Sequence, residues 1–194
     1  MSQPVRRRDA LSAVLAAGLL LPVARSQPAA EAAALPPRAN DRLVFAFGER
    51  AGATVMPADL GVDAPQTFAY PMDPVTGTVR NATRLNQILL VRLQGERLAA
   101  ETRARSAAGI VGYSAVCTHT GCDISDWDGG TRRFQCPCHD SQFDPADGAR
   151  VVGGPAPRQL PALPLDLRDG RLVVAGAFEG RVGFQQPGAD PFGF

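Results

Sequence analysis

The chain has 194 residues, which is room for one domain of ordinary size and a tail. Its 20 basic residues are all arginine and nearly balance 19 acidic residues, and the sequence carries no basic patch of the size that nucleic-acid binding needs. The only two histidines are His119 and His139, so the chain cannot hold a bis-histidine haem alongside a second histidine-dependent metal site. The 20 glycines and 17 prolines favour short strands and turns over a helical bundle.

Residues 1–26 have the order of an export signal. Arg6, Arg7 and Arg8 precede an apolar run over residues 10–23, and small residues follow it. The segment resembles a twin-arginine signal, which carries proteins that folded around a cofactor in the cytoplasm, so the expected location is the periplasm. The run is shorter than the roughly 20 residues of a spanning helix. An ordinary N-terminal helix and a retained membrane anchor are the alternatives.

Downstream of this segment, the pattern predicts an all-β domain with short strands and long connections. Residues 27–40 are rich in alanine and proline and are predicted to be a linker. Prolines and glycines make residues 54–67 and 70–86 irregular, and residues 98–107 have a helical composition. An Asp-Gly turn at 169–170 predicts a hairpin. Strands are predicted at residues 42–47, 88–93, 110–116, 133–135, 163–167, 171–174 and 180–184.

All four cysteines and both histidines fall between Cys117 and His139. A zinc ion held by two cysteines and two histidines leaves two cysteines without a role. A [2Fe–2S] cluster in which two histidines replace two cysteines accounts for all six residues, if the remaining two cysteines form a disulfide. Two disulfides alone would not explain why each histidine stands beside a cysteine. We therefore favour the cluster.

Three stretches carry a family resemblance. They are CTHTGC at residues 117–122, CPCHDSQFD at residues 136–144, and the run Gly154, Pro155, Ala156 and Pro157. Together they resemble the Rieske iron–sulfur proteins of the disulfide-containing branch. The resemblance implies an antiparallel β sandwich with a cluster-binding subdomain of two loops. It implies a Rieske domain at residues 41–184, with the cluster-binding part at about 110–160, and a C-terminal tail at 185–194.

The resemblance also implies the ligands of the cluster. Cys117 and Cys136 would bind the inner iron, and His119 and His139 the outer iron. The disulfide that links the two loops would join Cys122 to Cys138. The run of residues 154–157 would be the proline-rich loop that covers the cluster from a third side.

Three further residues are expected to tune the cluster. Ser141 stands where the family uses a hydroxyl to donate to a bridging sulfide, which raises the potential. Phe143 stands where quinol-oxidising members carry a tyrosine, so the potential should be lower than theirs. Asp140 replaces a common glycine and places negative charge near His139, which lowers the potential further.

These features predict a one-electron carrier with no complete catalytic site of its own. A Rieske oxygenase needs two further histidines for its mononuclear iron, and both histidines are already used. The favoured partners are a large oxidoreductase subunit of the molybdenum-containing kind, as in arsenite oxidase, and a cytochrome c. The alternative is the Rieske subunit of a cytochrome bc-type complex, with cytochrome b and c subunits and quinol as partners, or a free periplasmic carrier. Contact with a membrane is expected only through the possible N-terminal anchor.

Overall fold

A computed structural model describes residues 28–184. The predicted signal at 1–26 and the tail at 185–194 lie outside these residues. The two helices are α1 (Pro28–Ala34) and α2 (Ala100–Ala104). The strands are β1 (Arg42–Phe45), β2 (Thr67–Met72), β3 (Ile88–Arg92), β4 (Ile110–Ser114), β5 (Asp126–Asp128), β6 (Arg133–Gln135), β7 (Gln142–Asp144), β8 (Arg150–Gly153), β9 (Ala162–Leu163), β10 (Leu165–Arg168) and β11 (Arg171–Val174).

The strands form two antiparallel sheets, which confirms the predicted all-β class. The larger sheet has the order β10-β11-β1-β2-β3-β4-β9, and the smaller sheet has the order β5-β6-β7-β8. The chain leaves the larger sheet after β4, builds the smaller sheet, and returns at β9. All the chemistry-bearing residues of the 117–157 stretch therefore belong to this one excursion.

The central strand β3 explains how one fold has two apolar cores. Side chains alternate across a strand, and every residue from Ile88 to Val91 is buried. Leu89 and Val91 belong to the core that also contains Cys117 and Cys136, whereas Ile88 and Leu90 belong to the core on the other face. The larger sheet is thus apolar on both faces, and one face supports the metal loops.

One segment predicted to be irregular contains a strand. Residues 70–72 belong to β2, although Pro71 cannot donate to a ladder. The pairing of β2 with β3 ends at Ala69, and beyond it that edge of β2 has an isolated bridge between Met72 and Val79. The Arg80 N–H donates to the Pro71 carbonyl there at 2.8 Å, a contact that asks no N–H of the proline, which is why Pro71 is tolerated.

The segment predicted to be a linker, residues 27–40, contains a helix in its described part. Residues 28–34 form α1, and this helix is fastened to the domain. The Ala82 N–H donates to the Ala33 carbonyl at 3.1 Å, and Arg80 donates to the Ala32 carbonyl at 3.3 Å. Arg80 also forms a buried two-bond ion pair with Asp41, at 2.7 and 3.1 Å. A buried arginine paired in this way fixes the segment to the start of β1.

The strand predicted at residues 180–184 was also wrong. Beyond β11 the only strand-like contact of the described segment at 175–184 is an isolated bridge between Ala162 and Glu179. The Arg158 guanidinium instead donates to the Arg181 carbonyl at 2.7 Å and to the Gly183 carbonyl. Because a side chain takes these carbonyls, the segment does not join a sheet.

The remaining predictions concern short elements. The hairpin of β10 and β11 is confirmed, with Asp169 and Gly170 both at positive φ. The helix predicted over 98–107 is reduced to α2. The strands β5, β7 and β8 have three or four residues each, which is too short for a sequence period to show. Among residues 28–184, no helix is long and apolar enough to cross a membrane.

Candidate metal centre

The first loop, residues 117–122, follows β4 and is closed by its own backbone. The Gly121 N–H donates to the Cys117 carbonyl at 3.1 Å, and the Cys117 N–H donates to the Cys122 carbonyl at 2.8 Å. Gly121 has a φ of +82°, a conformation that favours glycine. The loop is therefore a tight, pre-shaped turn that begins and ends at a cysteine.

The second loop, residues 136–141, connects β6 to β7 and repeats this geometry. The Asp140 N–H donates to the Cys136 carbonyl at 3.0 Å, and the Cys136 N–H donates to the Ser141 carbonyl at 2.9 Å. Asp140 has a φ of +55° at the position of Gly121 in the first loop. Aspartate is among the few residues that tolerate this conformation, which explains why it can replace a glycine here. The two loops are thus related by an internal correspondence.

Two thiols lie beneath these loops, at the start of each. Cys117 and Cys136 are both buried and are not part of a disulfide. Burial, together with the neighbouring Cys136 thiol, raises the pKa of the Cys117 thiol to about 11, while hydrogen bonds from the His119 N–H and the Ser141 hydroxyl lower it. Donors that point at a buried sulfur suit a thiolate, and a buried thiolate requires a cation beside it.

Two imidazoles lie nearer the surface. His119 is half-buried and His139 is exposed, and their Nδ1 atoms approach to 3.2 Å with the rings at 87°. Two imidazole nitrogens bound at about 2.0–2.1 Å to one tetrahedral metal ion lie about 3.3 Å apart. The two Nδ1 atoms are therefore spaced as neighbouring ligands of one ion.

The two loops are covalently linked. A disulfide joins Cys122 to Cys138, the pairing that the resemblance implied. The Cys136 sulfur lies within 4.8 Å of both disulfide sulfurs. These three sulfurs do not form a metal site, because two of them are bonded to each other and cannot act as thiolate ligands.

A third segment, the proline loop of residues 154–157, covers the other two. Its prolines are exposed, but its backbone packs closely: a Cβ on Gly154 would lie 2.5 Å from the Ser141 Cα. The Ala156 N–H donates to the Ser141 hydroxyl at 3.2 Å. Just past the loop, the Arg158 carbonyl accepts from the Thr118 hydroxyl at 2.6 Å. The proline loop therefore ties both metal loops together.

The other two tuning residues occupy different environments. Phe143 is fully buried and belongs to the same core as Cys117 and Cys136. Asp140 is exposed, and its carboxylate accepts a hydrogen bond from the Gln135 amide at 3.0 Å. The Asp140 charge is thus shared with a neutral donor and faces water, which weakens its effect on His139.

The arrangement distinguishes a cluster from a single zinc ion. The four ligand atoms of one zinc ion would lie within about 4 Å of one another. Within the described part of the chain, no group of three or more ligand atoms that close contains either histidine. A buried pair of thiols and a pair of imidazoles nearer the surface instead match a two-iron centre with different ligands on each iron.

An all-β domain with one sulfur pair and one imidazole pair at the tip of two linked loops is the scaffold of an iron–sulfur protein. The model of the Rieske [2Fe-2S] domain matches residues 73–164. A Rieske iron-sulfur subunit of the cytochrome bc1 complex from Streptomyces lividans is 39% identical over 131 residues, 66% of this chain and 76% of that protein. The chain belongs to the Rieske iron–sulfur proteins and binds a [2Fe–2S] cluster.

Two further similarities cover less of one protein or the other. A protein of Haloferax mediterranei, named for a respiratory nitrate reductase Rieske subunit, is 51% identical over 84 residues, 43% of this chain and 36% of its own length. The cyanobacterial plasma membrane Rieske protein PetC3 from Synechocystis PCC 6803 superposes with a TM-score of 0.39 at 23% identity, over 61% of this chain and 93% of that one. The two relatives are named as Rieske subunits of a cytochrome bc1 complex and of a respiratory nitrate reductase. This chain is, like them, a Rieske electron-transfer protein.

Replacing Ser141 with alanine is expected to lower the midpoint potential by roughly 50 mV. This is the shift that corresponds, for a one-electron couple, to the loss of one hydrogen bond of about 1 kcal/mol. A hydrogen bond from the Ser141 hydroxyl is among the causes that lower the pKa of the Cys117 thiol, and a donor of this kind favours the more negative reduced state of the cluster. The measurement is a redox titration of the holoprotein.

Ser114→Ala is the matched control for this variant. Ser114 is equally buried, and its hydroxyl also accepts one backbone N–H at 3.2 Å, from Val116. Both variants should lose about 1–3 kcal/mol of stability through an unpaired buried N–H. Only Ser141→Ala should change the potential, and an equal shift in both would contradict the role of Ser141.

Sequence reasoning missed two residues of the site. Thr118 and Arg158 connect the first loop to the proline loop through a single hydrogen bond. The position of Thr118 between a cysteine and a histidine is only a weak sequence signal that it belongs to the site. Arg158 contributes its backbone carbonyl, for which a sequence offers no signal at all.

Proposed function

We propose that Cys117 and Cys136 bind one iron of the cluster, that His119 and His139 bind the other, and that the chain transfers single electrons through it. The observation that carries this assignment is the separation of the four side chains into a buried thiol pair and an imidazole pair nearer the surface, with His119 half-buried and His139 exposed. The cluster supplies a one-electron couple with a potential in the range of about −150 to +300 mV.

The chain's own residues divide the work around this site. The core side chains around Cys117 and Cys136, Phe134 and Phe143 among them, exclude water from the sulfur side. His139 is exposed and stands at the edge where a redox partner can approach. The two loops hold this edge in a fixed position because the disulfide and the proline loop connect them.

Metal analysis of anaerobically prepared protein tests the assignment. The expected result is two irons and two acid-labile sulfides for each chain, with a rhombic EPR signal after reduction. A stoichiometric zinc ion, or the absence of labile sulfide, would overturn both the ligand assignment and the electron-transfer role.

We further propose that the chain is the small subunit of an exported oxidoreductase that passes electrons to a cytochrome c. The relative with 51% identity is named for a respiratory nitrate reductase, which supports a partner other than a quinol-oxidising complex. The buried Phe143, which has no hydroxyl, also supports a potential below that of quinol oxidation. The large subunit would contain the catalytic metal, such as molybdenum.

The second candidate is a cytochrome bc-type complex. The 131-residue similarity to the Streptomyces lividans bc1 subunit favours it, since it extends well beyond the metal loops. Purification of the native protein with its partners distinguishes the two. A large molybdenum-containing subunit supports the first candidate, haem b and a quinol-oxidising activity support the second, and a protein without partners supports a free carrier.

We propose the periplasm as the location, reached in the folded state by the twin-arginine route. Arg7 and Arg8 precede the apolar run in the required order. Changing both to lysine should leave the protein in the cytoplasmic fraction with its cluster assembled. Unchanged export of that variant, measured by fractionation, would contradict this route.

Phe143→Tyr is expected to raise the midpoint potential, because the added hydroxyl can donate to a ligand sulfur in the core that Phe143 shares with Cys117 and Cys136. The rise should be of the order of 50 mV for one bond. Phe45→Tyr is the control, since Phe45 packs against the core on the other face of the larger sheet, away from Cys117 and Cys136, and the potential of this variant should stay at the wild-type value. An unchanged potential in Phe143→Tyr would contradict the argument from the missing hydroxyl.

A further inference from the structure

The first loop has a brace that is made of residues outside the motif. Arg84 reaches it from the turn before β3: its guanidinium donates to the Gly121 carbonyl and pairs with Asp123 at 2.6 Å. Phe184 reaches it from the segment after β11, and its ring lies against Gly121. Arg84 and Phe184 are together called the brace below.

The contact between the brace and Gly121 is close. A Cβ on Gly121 would lie 2.6 Å from the Phe184 Cδ1 and 3.4 Å from the Arg84 Nη2. Real Cβ atoms do not approach other atoms to 2.6 Å, because the overlap is too costly. Gly121 is therefore required twice, by its positive φ and by the ring that occupies the space of a side chain.

The segment that carries Phe184 is itself held in place. The Glu179 N–H donates to the Ala162 carbonyl at 2.7 Å, and the Arg158 guanidinium donates to the carbonyls of Arg181 and Gly183. Gly183 is buried, and a Cβ added to it would lie 3.5 Å from the Leu85 Cδ2. Hydrogen bonds at Glu179, Arg181 and Gly183 thus fix the backbone that leads to Phe184.

The two metal loops are covered by different groups. It lies on the first loop, two residues after His119, while the second loop is covered by the proline loop and leaves His139 exposed. Phe184 and Arg84 are themselves partly exposed, and what they cover is Gly121, which is buried. His119 is half-buried and His139 is exposed, so His139 is the more accessible member of the pair.

We infer that Arg84 and Phe184 are positioning residues that hold the His119 loop, and that they tune the cluster in opposite directions. The inference rests on the proposed function, which assigns His119 as a ligand. The Arg84 charge stabilises the more negative reduced cluster, so its removal lowers the potential. The Phe184 ring excludes water from the loop. Water admitted after removal of the ring would stabilise the more negative reduced cluster, so the potential of that variant rises.

The test uses redox titration of the holoproteins Arg84→Gln and Phe184→Ala, after iron and labile sulfide have been measured in the wild type. The expected results are a lower potential in Arg84→Gln, a higher potential in Phe184→Ala and faster loss of cluster absorbance in both. Potentials that stay at the wild-type value, or shifts of the same sign, would overturn the brace. A wild type without a cluster would instead overturn the proposed function.

Conservative variants keep the test informative if a variant folds poorly. Arg84→Lys retains the charge and Phe184→Leu retains an apolar side chain, so both should return the potential towards the wild-type value. Phe47→Ala is the control, because Phe47 is an exposed phenylalanine that packs against Phe68 in another part of the domain. A shift in Phe47→Ala equal to that in Phe184→Ala would count against the inference.

A double-mutant cycle tests the contact itself. Gly121→Ala should destabilise the wild type through both the ring contact and the backbone strain, but the Phe184→Ala background only through the strain. The expected result is therefore a smaller loss of unfolding free energy in the second background. Equal losses in the two backgrounds would show that the ring does not press on Gly121.

Discussion

Replacing His139 with cysteine is expected to abolish the rhombic EPR signal of the reduced protein. The signal depends on an iron that is held by two neutral nitrogens, and the Nδ1 atoms of His119 and His139 lie 3.2 Å apart as such a pair requires. A thiolate adds negative charge, so any cluster that persists should have a potential lower by hundreds of millivolts, on the order of that in all-cysteine clusters. The measurement is EPR with a redox titration.

The control for this variant is Ala177→Cys, which places a new thiol at an exposed position after β11. It distinguishes the loss of the imidazole from non-specific thiol chemistry, and it should keep the wild-type signal. A Rieske-type signal of wild-type intensity in His139→Cys would exclude His139 as a ligand. The ligand assignment would then have to be abandoned.

Removal of the disulfide in the double variant Cys122→Ser, Cys138→Ser should cost about 3 kcal/mol of stability, the value expected for a closed loop of about 15 residues. The double variant is preferred because a single change would leave a free thiol near Cys136, within 4.8 Å of its sulfur. The loops would then separate more readily, and cluster absorbance should be lost at a lower urea concentration than in the wild type.

Thr120→Ala is the matched control for the disulfide. Thr120 lies in the same loop, is exposed, and its hydroxyl is 3.8 Å from the Cys122 sulfur. Urea unfolding followed by circular dichroism and by cluster absorbance should therefore match the wild type in this variant. If the double variant also matched the wild type, the disulfide would have no role in holding the two loops.

The all-β class and the strands with strong apolar runs were predictable from the sequence. Ile88–Arg92 and Ile110–Ser114 are buried and uninterrupted, so each is recognisable without its neighbours. The strands β5, β7 and β8 were not predictable, because three or four residues with a mixed burial pattern carry no clear period. They form only because the strands beside them supply the hydrogen bonds and the core.

The helix at residues 28–34 and the missing strand at residues 180–184 differ from the sequence patterns for the same kind of reason. Residues 28–34 resemble a linker in composition, but the partners of this helix, Arg80 and Ala82, lie far along the chain. Residues 180–184 resemble a strand, but Arg158 takes their carbonyls. In both places an arginine far along the chain contributes to the conformation. A prediction from the local composition of a short segment cannot take such a distant residue into account.

The sequence by itself determined the chemistry of this protein: its cysteines and histidines favour a cluster over zinc, and the resemblance carried by residues 117–157 implies the ligands and the disulfide. Only the tertiary structure decided that the thiols are buried, that the imidazoles converge at the surface, and that Arg84 and Phe184 press on the first loop. Residue types are written in the sequence, whereas burial and contact between distant segments arise when the sheets pack. The residue types determine what the site can bind, and the packing determines how the site is exposed and held in place.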